Sequence, residues 1–287
     1  MRHRTISTVC RLSVINAAIL RTRAWMFLLA FYLLASLFGG IGLAWIAVHP
    51  PSRPITEAEY RKTKAFAQRD LIEVDDVKLT AIDGVVLRAW FMRPPEPNRN
   101  VIILLHGVSD NRLGVYPYAK WLLKNHYSVL LPDSRAHGLS KGLATYGLRK
   151  SGDIHQWVSW IEDEYHPVCV YGFGESMGAA QLLQALPEES RFCAVVAECP
   201  FASFREVAYA RFGRQFHTGP WLGSTLFRPT VEVGLLYIRL KYGSNMEEAS
   251  PKQAVERTRV PNHVDPWCGR SQHPLLPLRR NPVSQSV

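Results

Sequence analysis

Residues 168–183 read VCVYGFGESMGAAQLL, and this stretch decides the fold of the chain. A short apolar run is followed by G-E-S-M-G at residues 174–178 and then by helix-forming residues. This order predicts a buried strand, a sharp turn and a helix, with Ser176 at the turn. Gly174 and Gly178 suit the turn, because a side chain at either position would collide with adjacent backbone. Ser176 is therefore a candidate nucleophile, beside a helix amino terminus that favours negative charge.

The segments on either side of this stretch predict the rest of the architecture. Continuously apolar strands are expected at residues 101–105, 127–131, 168–171 and 194–197. Helix-length stretches lie between them, at residues 116–124, 152–164 and 177–186. Strands that alternate with helices predict a doubly wound α/β fold with a mostly parallel sheet covered on both faces. Before it, the alternating runs 73–80 and 84–91 predict an antiparallel hairpin that turns at Asp83-Gly84.

A second loop follows the strand at residues 101–105 and reads His106-Gly107-Val108. Loops at the carboxyl ends of parallel strands converge on one edge of the sheet, where active sites form. A glycine allows close approach of the backbone to a ligand, so the amides of Val108 and Met177 are candidate donors to an oxyanion. His106 could act as a base, but we favour a role in bracing the loop through hydrogen bonds.

A third polar loop covers residues 132–140, after the strand at 127–131, and contains Asp133, Arg135 and His137. Polar side chains in such turns commonly hydrogen-bond to nearby backbone. We therefore expect these three residues to form a structural network next to the site.

The N-terminal region has a different character. Residues 25–48 carry no charge, and their number exceeds the ~20 residues that a helix needs to cross a bilayer. We predict a basic tail at residues 1–23, a transmembrane helix at 24–48 and a linker at 49–69. A cleavable signal peptide is the alternative, and it is disfavoured because its apolar core is usually shorter. The basic tail favours a cytoplasmic N-terminus and export of the larger part, although basic residues in the linker nearly balance it.

The formal net charge of +10 does not indicate a nucleic-acid partner, since the basic residues gather beside the apolar helix and in the Pro-rich tail. The five cysteines show no CxxC spacing, so neither a zinc site nor a disulfide framework is indicated. Cys169 and Cys193 lie in apolar runs and are expected to be buried small hydrophobes.

Together, the H-G loop, the D-x-R-x-H-G-x-S loop and the G-x-S-x-G turn resemble the α/β-hydrolase superfamily, in particular its serine-aminopeptidase-like and monoacylglycerol-lipase-like branch. Residues 198–203, ECPFAS, are similar to that branch's E-x-P-F-x-S loop. The resemblance covers about residues 70–261 and implies Ser176 as the nucleophile, with the Val108 and Met177 amides as the oxyanion hole. It also implies hydrolysis of an acyl ester, thioester or peptide through an acyl-enzyme, without cofactor or metal.

The pattern breaks after Val260-Pro261. The family carries its catalytic acid in an I-H-G-x-x-D loop after a further strand, and its histidine later, whereas residues 262–270 read NHVDPWCGR. We therefore expect residues 262–287 to lie outside the family pattern and the sheet to lack its last strands. Dropping one nucleotide at the Asn262 codon permits the string I-M-L-I-H-G-A-D-D-H-N-I-P, with a forced glycine in place of Trp267. The hypothesis is a frameshift that impairs this chain, because His263, Asp265 and His273 are poor substitutes.

Two functions follow from these observations. One is a membrane-tethered serine hydrolase, and the other is a catalytically dead, membrane-anchored remnant or binding protein. A dehalogenase of the same fold is disfavoured, since it would carry aspartate at the turn. Residues 203–243 occupy the place of a lid, and ordinary covering helices remain an equal alternative.

Overall fold

The computed structural model describes residues 3–147, 150–215, 217–218 and 220–265. Its centre is a seven-stranded sheet with the order β1-β2-β4-β3-β5-β6-β7. The strands are β1 (Glu73–Thr80), β2 (Val86–Arg93), β3 (Asn100–Leu105), β4 (Ser128–Pro132), β5 (Cys169–Glu175), β6 (Phe192–Glu198) and β7 (Asn262–Asp265). β1 and β2 form the predicted antiparallel hairpin, β2 also pairs antiparallel with β4, and the strands from β4 to β7 pair in parallel.

The helices are α1 (His3–Val48), α2 (Glu57–Arg69), α3 (Tyr116–Lys124), α4 (Lys150–Tyr165), α5 (Met177–Ala185), α6 (Phe204–Gln215), α7 (Pro220–Ser224), α8 (Arg228–Tyr242) and α9 (Pro251–Arg257), with a 3₁₀ turn at Met246–Glu248. The predicted α/β fold is confirmed, and α3 has the predicted bounds.

Each sheet face has its own core because side chains alternate along a strand. In β3, Ile103 and Leu105 pack with α4 and α5 on one face, whereas Ile102 and Leu104 pack with α3 on the other. A third apolar cluster joins α1, α6 and α8 to Met177 and Phe201, at the end of the sheet where β5 and β6 finish. This third cluster connects the N-terminal helix with the candidate site.

Helix α1 is a single helix of 46 residues, which begins well before the predicted span at 24–48. Its segment Ile19–Val48 is long and apolar enough to cross a membrane or to be a signal sequence. The carboxyl-terminal half of α1 lies along α8. Gly40 contributes to this contact, because a Cβ at that position would lie 2.6 Å from the Thr230 carbonyl oxygen.

The expectation that residues 262–265 form no strand is wrong. They form β7, which pairs in parallel with β6, from Val195 opposite Asn262 to Glu198 opposite Asp265. Pairing to a sheet edge uses backbone groups, which any residue except proline supplies. Val264 adds a buried apolar side chain. The rest of the predicted tail, residues 266–287 with His273, lies outside the described residues.

The expectation for Cys169 and Cys193 is also wrong. These two residues form a disulfide, and their Cα atoms are 5.8 Å apart. Cys193 is exposed and Cys169 is partly exposed, so neither is a buried hydrophobe. The bridge forms because β5 and β6 are adjacent parallel strands that start at the same edge of the sheet. A separation of 24 residues along the chain does not reveal that neighbourhood.

Candidate active site

Ser176 lies at the bend between β5 and α5, in a backbone conformation with φ 51° and ψ −105°. Side chains other than glycine rarely adopt a positive φ, and such strain concentrates at functional sites. The Ser176 amide donates to the Glu198 carbonyl oxygen at 2.8 Å, which ties the bend to the end of β6. The structure therefore holds Ser176 in a tight strand-to-helix turn.

The two glycines of the turn occupy positions where a side chain does not fit. A Cβ at Gly174 would lie 2.5 Å from the Ala179 amide nitrogen. A Cβ at Gly178 would lie 2.3 Å from the Leu105 carbonyl oxygen. Both distances are far below van der Waals contact with backbone atoms that cannot move independently. The tight turn therefore requires glycine on both sides of Ser176.

The His106-Gly107 turn lies directly beside Ser176, since a Cβ at Gly107 would be 3.8 Å from the Ser176 Cβ. The Nε2 of His106 accepts from the Ser134 amide at 3.0 Å, which leaves Nδ1 to donate to the Gly107 carbonyl at 2.7 Å. Both ring nitrogens of this fully buried histidine thus bond to backbone. These two bonds are those expected of a histidine that braces the loop, the role that we favoured for His106 over that of a base.

The two candidate oxyanion donors line one cavity together with Ser176. Met177 is the first residue of α5, and amides in the first turn of a helix have no partner within the helix. Val108 is held through its neighbour Ser109, whose amide donates to Nε2 of His137 at 3.1 Å. The third loop therefore positions the second one, as its expected structural role requires.

Asp133 is the centre of that third loop. Its carboxylate accepts from the Arg112 guanidinium at 2.6 Å, from the Arg112 amide at 2.9 Å and from the Leu139 amide at 2.8 Å. Both side chains of the Arg112–Asp133 pair are fully buried. Arg135 is bonded to Asp153 and Asp83. Buried ion pairs and hydrogen bonds thus link the third loop to the segment after the second loop, to α4 and to the turn of the hairpin.

Above Ser176 lies a cavity of about 510 Å³, within the range of small-molecule sites. Its walls are mostly apolar and come from α6, α8 and the end of α1. Arg211 alone carries a charge among the described residues that line it. The contribution of α1 was not predicted from the sequence. A signal was present, since the Gly39-Gly40 pair in an apolar helix is typical of close helix packing.

The sequence also did not predict that several acidic side chains lie near Ser176. Burial raises the pKa of the Glu175 carboxyl above its usual value, and the charges of Glu198 and Asp110 raise it further. Glu198 accepts a hydrogen bond from the Tyr118 hydroxyl at 2.9 Å. Burial and this carboxylate raise the pKa of Tyr118 to about 12. The surroundings of Ser176 are therefore acidic on the side of β6.

Within the described ranges, no hydrogen bond joins the Ser176 hydroxyl to a histidine. His263 is exposed and lies opposite Val196 in the sheet, and Asp265 ends β7 opposite Glu198. The same part of the chain contains no cluster of three or more His, Cys, Asp or Glu side chains able to hold a metal ion. The described residues thus bring together a nucleophile candidate and two oxyanion donor candidates.

The sheet order and the strand-turn-helix at Ser176 define an α/β-hydrolase fold. A family profile described as serine aminopeptidase, S33, matches residues 96–259. The chain belongs to this family.

Known relatives agree with this assignment. Uncharacterized protein YqkD of Bacillus subtilis is 29% identical over 174 residues, which are 58% of this chain and 54% of the relative. Uncharacterized protein YfhR of Escherichia coli strain K12 is 29% identical over 141 residues, which are 47% of this chain and 50% of the relative. The chain thus spans about half the length of these curated relatives. Among solved structures, the Pyrococcus furiosus esterase Pf2001 matches with a TM-score of 0.52 and 27% identity, over 69% of this chain and 71% of that one.

Proposed function

We propose that this chain is the hydrolase region of a serine esterase that forms an acyl-enzyme at Ser176. One observation carries the proposal, namely the strained bend that presents Ser176 next to the His106-Gly107 turn at an apolar cavity. The likeness to esterase Pf2001 supports ester substrates over peptides. Thioesters follow the same chemistry and remain within the proposal.

In the proposed reaction, the Ser176 oxygen attacks the acyl carbonyl carbon, and its proton passes to a histidine base. The carbonyl oxygen becomes an oxyanion that accepts hydrogen bonds from the Val108 and Met177 amides. Collapse of this intermediate breaks the bond to the leaving alcohol, which takes the proton from the histidine. Water then attacks the acyl-enzyme by the same route and releases the acid. The reaction so written needs no cofactor.

We also propose that the acid and base belong to a frame that is shifted from Asn262 onward. β7 supports this proposal, because the strand Asn262–Asp265 coincides with I-M-L-I in the reframed string. The acid-bearing loop would then follow at the carboxyl end of β7, the same edge of the sheet that holds Ser176. In the present frame the reaction would be slower by several orders of magnitude, the usual consequence of losing triad members.

Membrane anchoring through residues 24–48, with the hydrolase region on the exported side, completes the proposal. The length and apolar character of Ile19–Val48 support the anchor. The Cys169–Cys193 bridge supports export, because disulfides persist in oxidising compartments. An acyl ester dissolved in or near the membrane is the expected substrate class.

A fluorophosphonate probe tests the proposal, since it reacts with activated serine hydroxyls. We expect strong labelling of the frame-corrected protein at Ser176, with no labelling of its Ser176→Ala variant. The present chain should label at least about a hundredfold more slowly. Absence of labelling in a folded, frame-corrected protein would refute the esterase proposal.

The second candidate is a catalytically dead, anchored binding protein. The sequence break after Pro261 favours it, because residues 262–270 read NHVDPWCGR where the family carries its catalytic acid. Normal folding with no probe reaction in both frames would support this candidate.

A further inference from the structure

Helix α1 is part of the wall of the cavity above Ser176. Leu43, Ala44 and Ala47, from its last two turns, line the cavity opposite α8. Ala44 and Val48 are only 2% and 1% exposed. By contrast, the side chains of residues 19–31, earlier in the same helix, are all exposed. The end of this helix is therefore an integral part of the folded domain.

Two hydrogen bonds fasten this end of α1 to the site. The Tyr146 hydroxyl donates to the Ala47 carbonyl at 3.0 Å, and the Ala144 amide donates to the Val48 carbonyl at 3.0 Å. Tyr146 itself lines the cavity. These bonds tie α1 to α5, the helix that begins directly after the candidate nucleophile, because the Tyr146 carbonyl accepts from the Gln184 side chain of α5 at 2.8 Å.

Helix α8 continues the contact along α1. Just before α8 begins, the Tyr32 hydroxyl donates to the Leu226 carbonyl at 2.6 Å. At the end of α8, the ring centroids of His49 and Tyr242 are 6.2 Å apart. The two helices thus run side by side in the same direction. Outside this contact, α8 exposes Leu236 and Leu240, which are 54% and 76% exposed. Exposed apolar side chains are therefore present both on the candidate membrane span and on the helix that covers the cavity.

We propose that the end of α1 forms one side of an acyl-chain site, and that the chain enters from the bilayer along the α1–α8 contact. This inference rests on the proposed function and specifies its substrate as a membrane-borne acyl ester. The cavity supports an acyl occupant because its α1 and α8 walls are apolar and its α1 wall belongs to the apolar segment Ile19–Val48. Arg211 and Ser109 supply polar groups at the same cavity for the head of the substrate.

The test is photo-crosslinking of the full chain in phosphatidylcholine nanodiscs, with a C16 fatty acid that carries a diazirine in its chain. We expect mass spectrometry to find label on Leu43–Ala47 and on Leu235–Ile238. Ala44→Phe should reduce labelling of the α8 peptide about tenfold, since the ring excludes several methylenes of the probe. Ala30→Phe is the matched control, because Ala30 is exposed on the same helix before the contact with α8 begins, and it should leave that labelling unchanged.

Equal α8 labelling in the two variants would overturn the inference, as would label confined to the exposed residues of α1. Ala47→Phe gives a second variant if Ala44→Phe fails to fold, as judged by thermal unfolding. The result is separable from the esterase proposal, because the fatty acid needs no reaction at Ser176. Ser176→Ala should therefore retain the cross-links while it abolishes fluorophosphonate labelling.

Discussion

Ser176 combines a reactive hydroxyl with a backbone conformation that favours glycine. Such strain costs about 1–3 kcal/mol and persists only where the surrounding structure enforces it. Here the Ser176 amide is bonded to β6, and the neighbouring Gly178 packs on Leu105. The serine is therefore retained at the expense of stability.

Ser176→Gly should raise the free energy of unfolding by about 1 kcal/mol, since glycine adopts positive φ without steric strain. Chemical denaturation in detergent measures this difference. Ser128→Gly is the control, because Ser128 is the buried first residue of β4, where glycine should destabilise the protein. A Ser176→Gly protein that is less stable than the parent would contradict the strain argument.

Glu175 gives the site a pH dependence. Its raised pKa means that the folded protein holds this proton more tightly than the unfolded chain does. Stability should therefore fall as the pH rises from the usual carboxyl value of 4.5 through the raised value. Glu175→Gln should remove this fall, so the variant should gain stability over the parent with increasing pH. Denaturation midpoints between pH 4 and pH 8 measure the effect, and a constant difference would exclude it.

At the scale of elements, a disulfide links the neighbouring strands β5 and β6 close to their amino-terminal ends. Bridging cysteines 24 residues apart restricts the unfolded chain. For loops of similar length this contributes about 3 kcal/mol.

The double variant Cys169→Ser with Cys193→Ser should therefore have a free energy of unfolding about 3 kcal/mol lower than that of the oxidised parent. Peptide mapping without reductant should find the two cysteines linked in protein whose hydrolase region has been exported to an oxidising compartment. Both thiols reacting with an alkylating agent in that native protein would rule out the bridge and weaken the argument for export.

At the scale of the whole molecule, β7 joins the family region to a segment that departs from the family pattern. Residues 262–265 are accepted as a strand because β6 offers an open edge. The family profile ends at residue 259, directly before this strand.

Genomic DNA across residues 260–274 should therefore encode the I-H-G-x-x-D string in the shifted frame. The corrected protein should hydrolyse short acyl esters at least about a thousandfold faster than the present chain. A shifted frame without that string would end the frameshift hypothesis. Equal hydrolysis rates for the two proteins would show that the residues after Pro261 do not contribute to catalysis.

The sequence by itself determined the hairpin, the alternation of strands and helices, and the G-E-S-M-G turn, because periodicity and glycine sterics act over a few neighbouring residues. It also located the His106-Gly107 turn, since strand ends in a parallel sheet share one edge. Only the tertiary structure decided that Cys169 meets Cys193, that β7 pairs with β6, and that α1 closes the cavity above Ser176. These contacts join residues distant in the chain, and their free energy comes from packing and pairing that local sequence patterns do not encode.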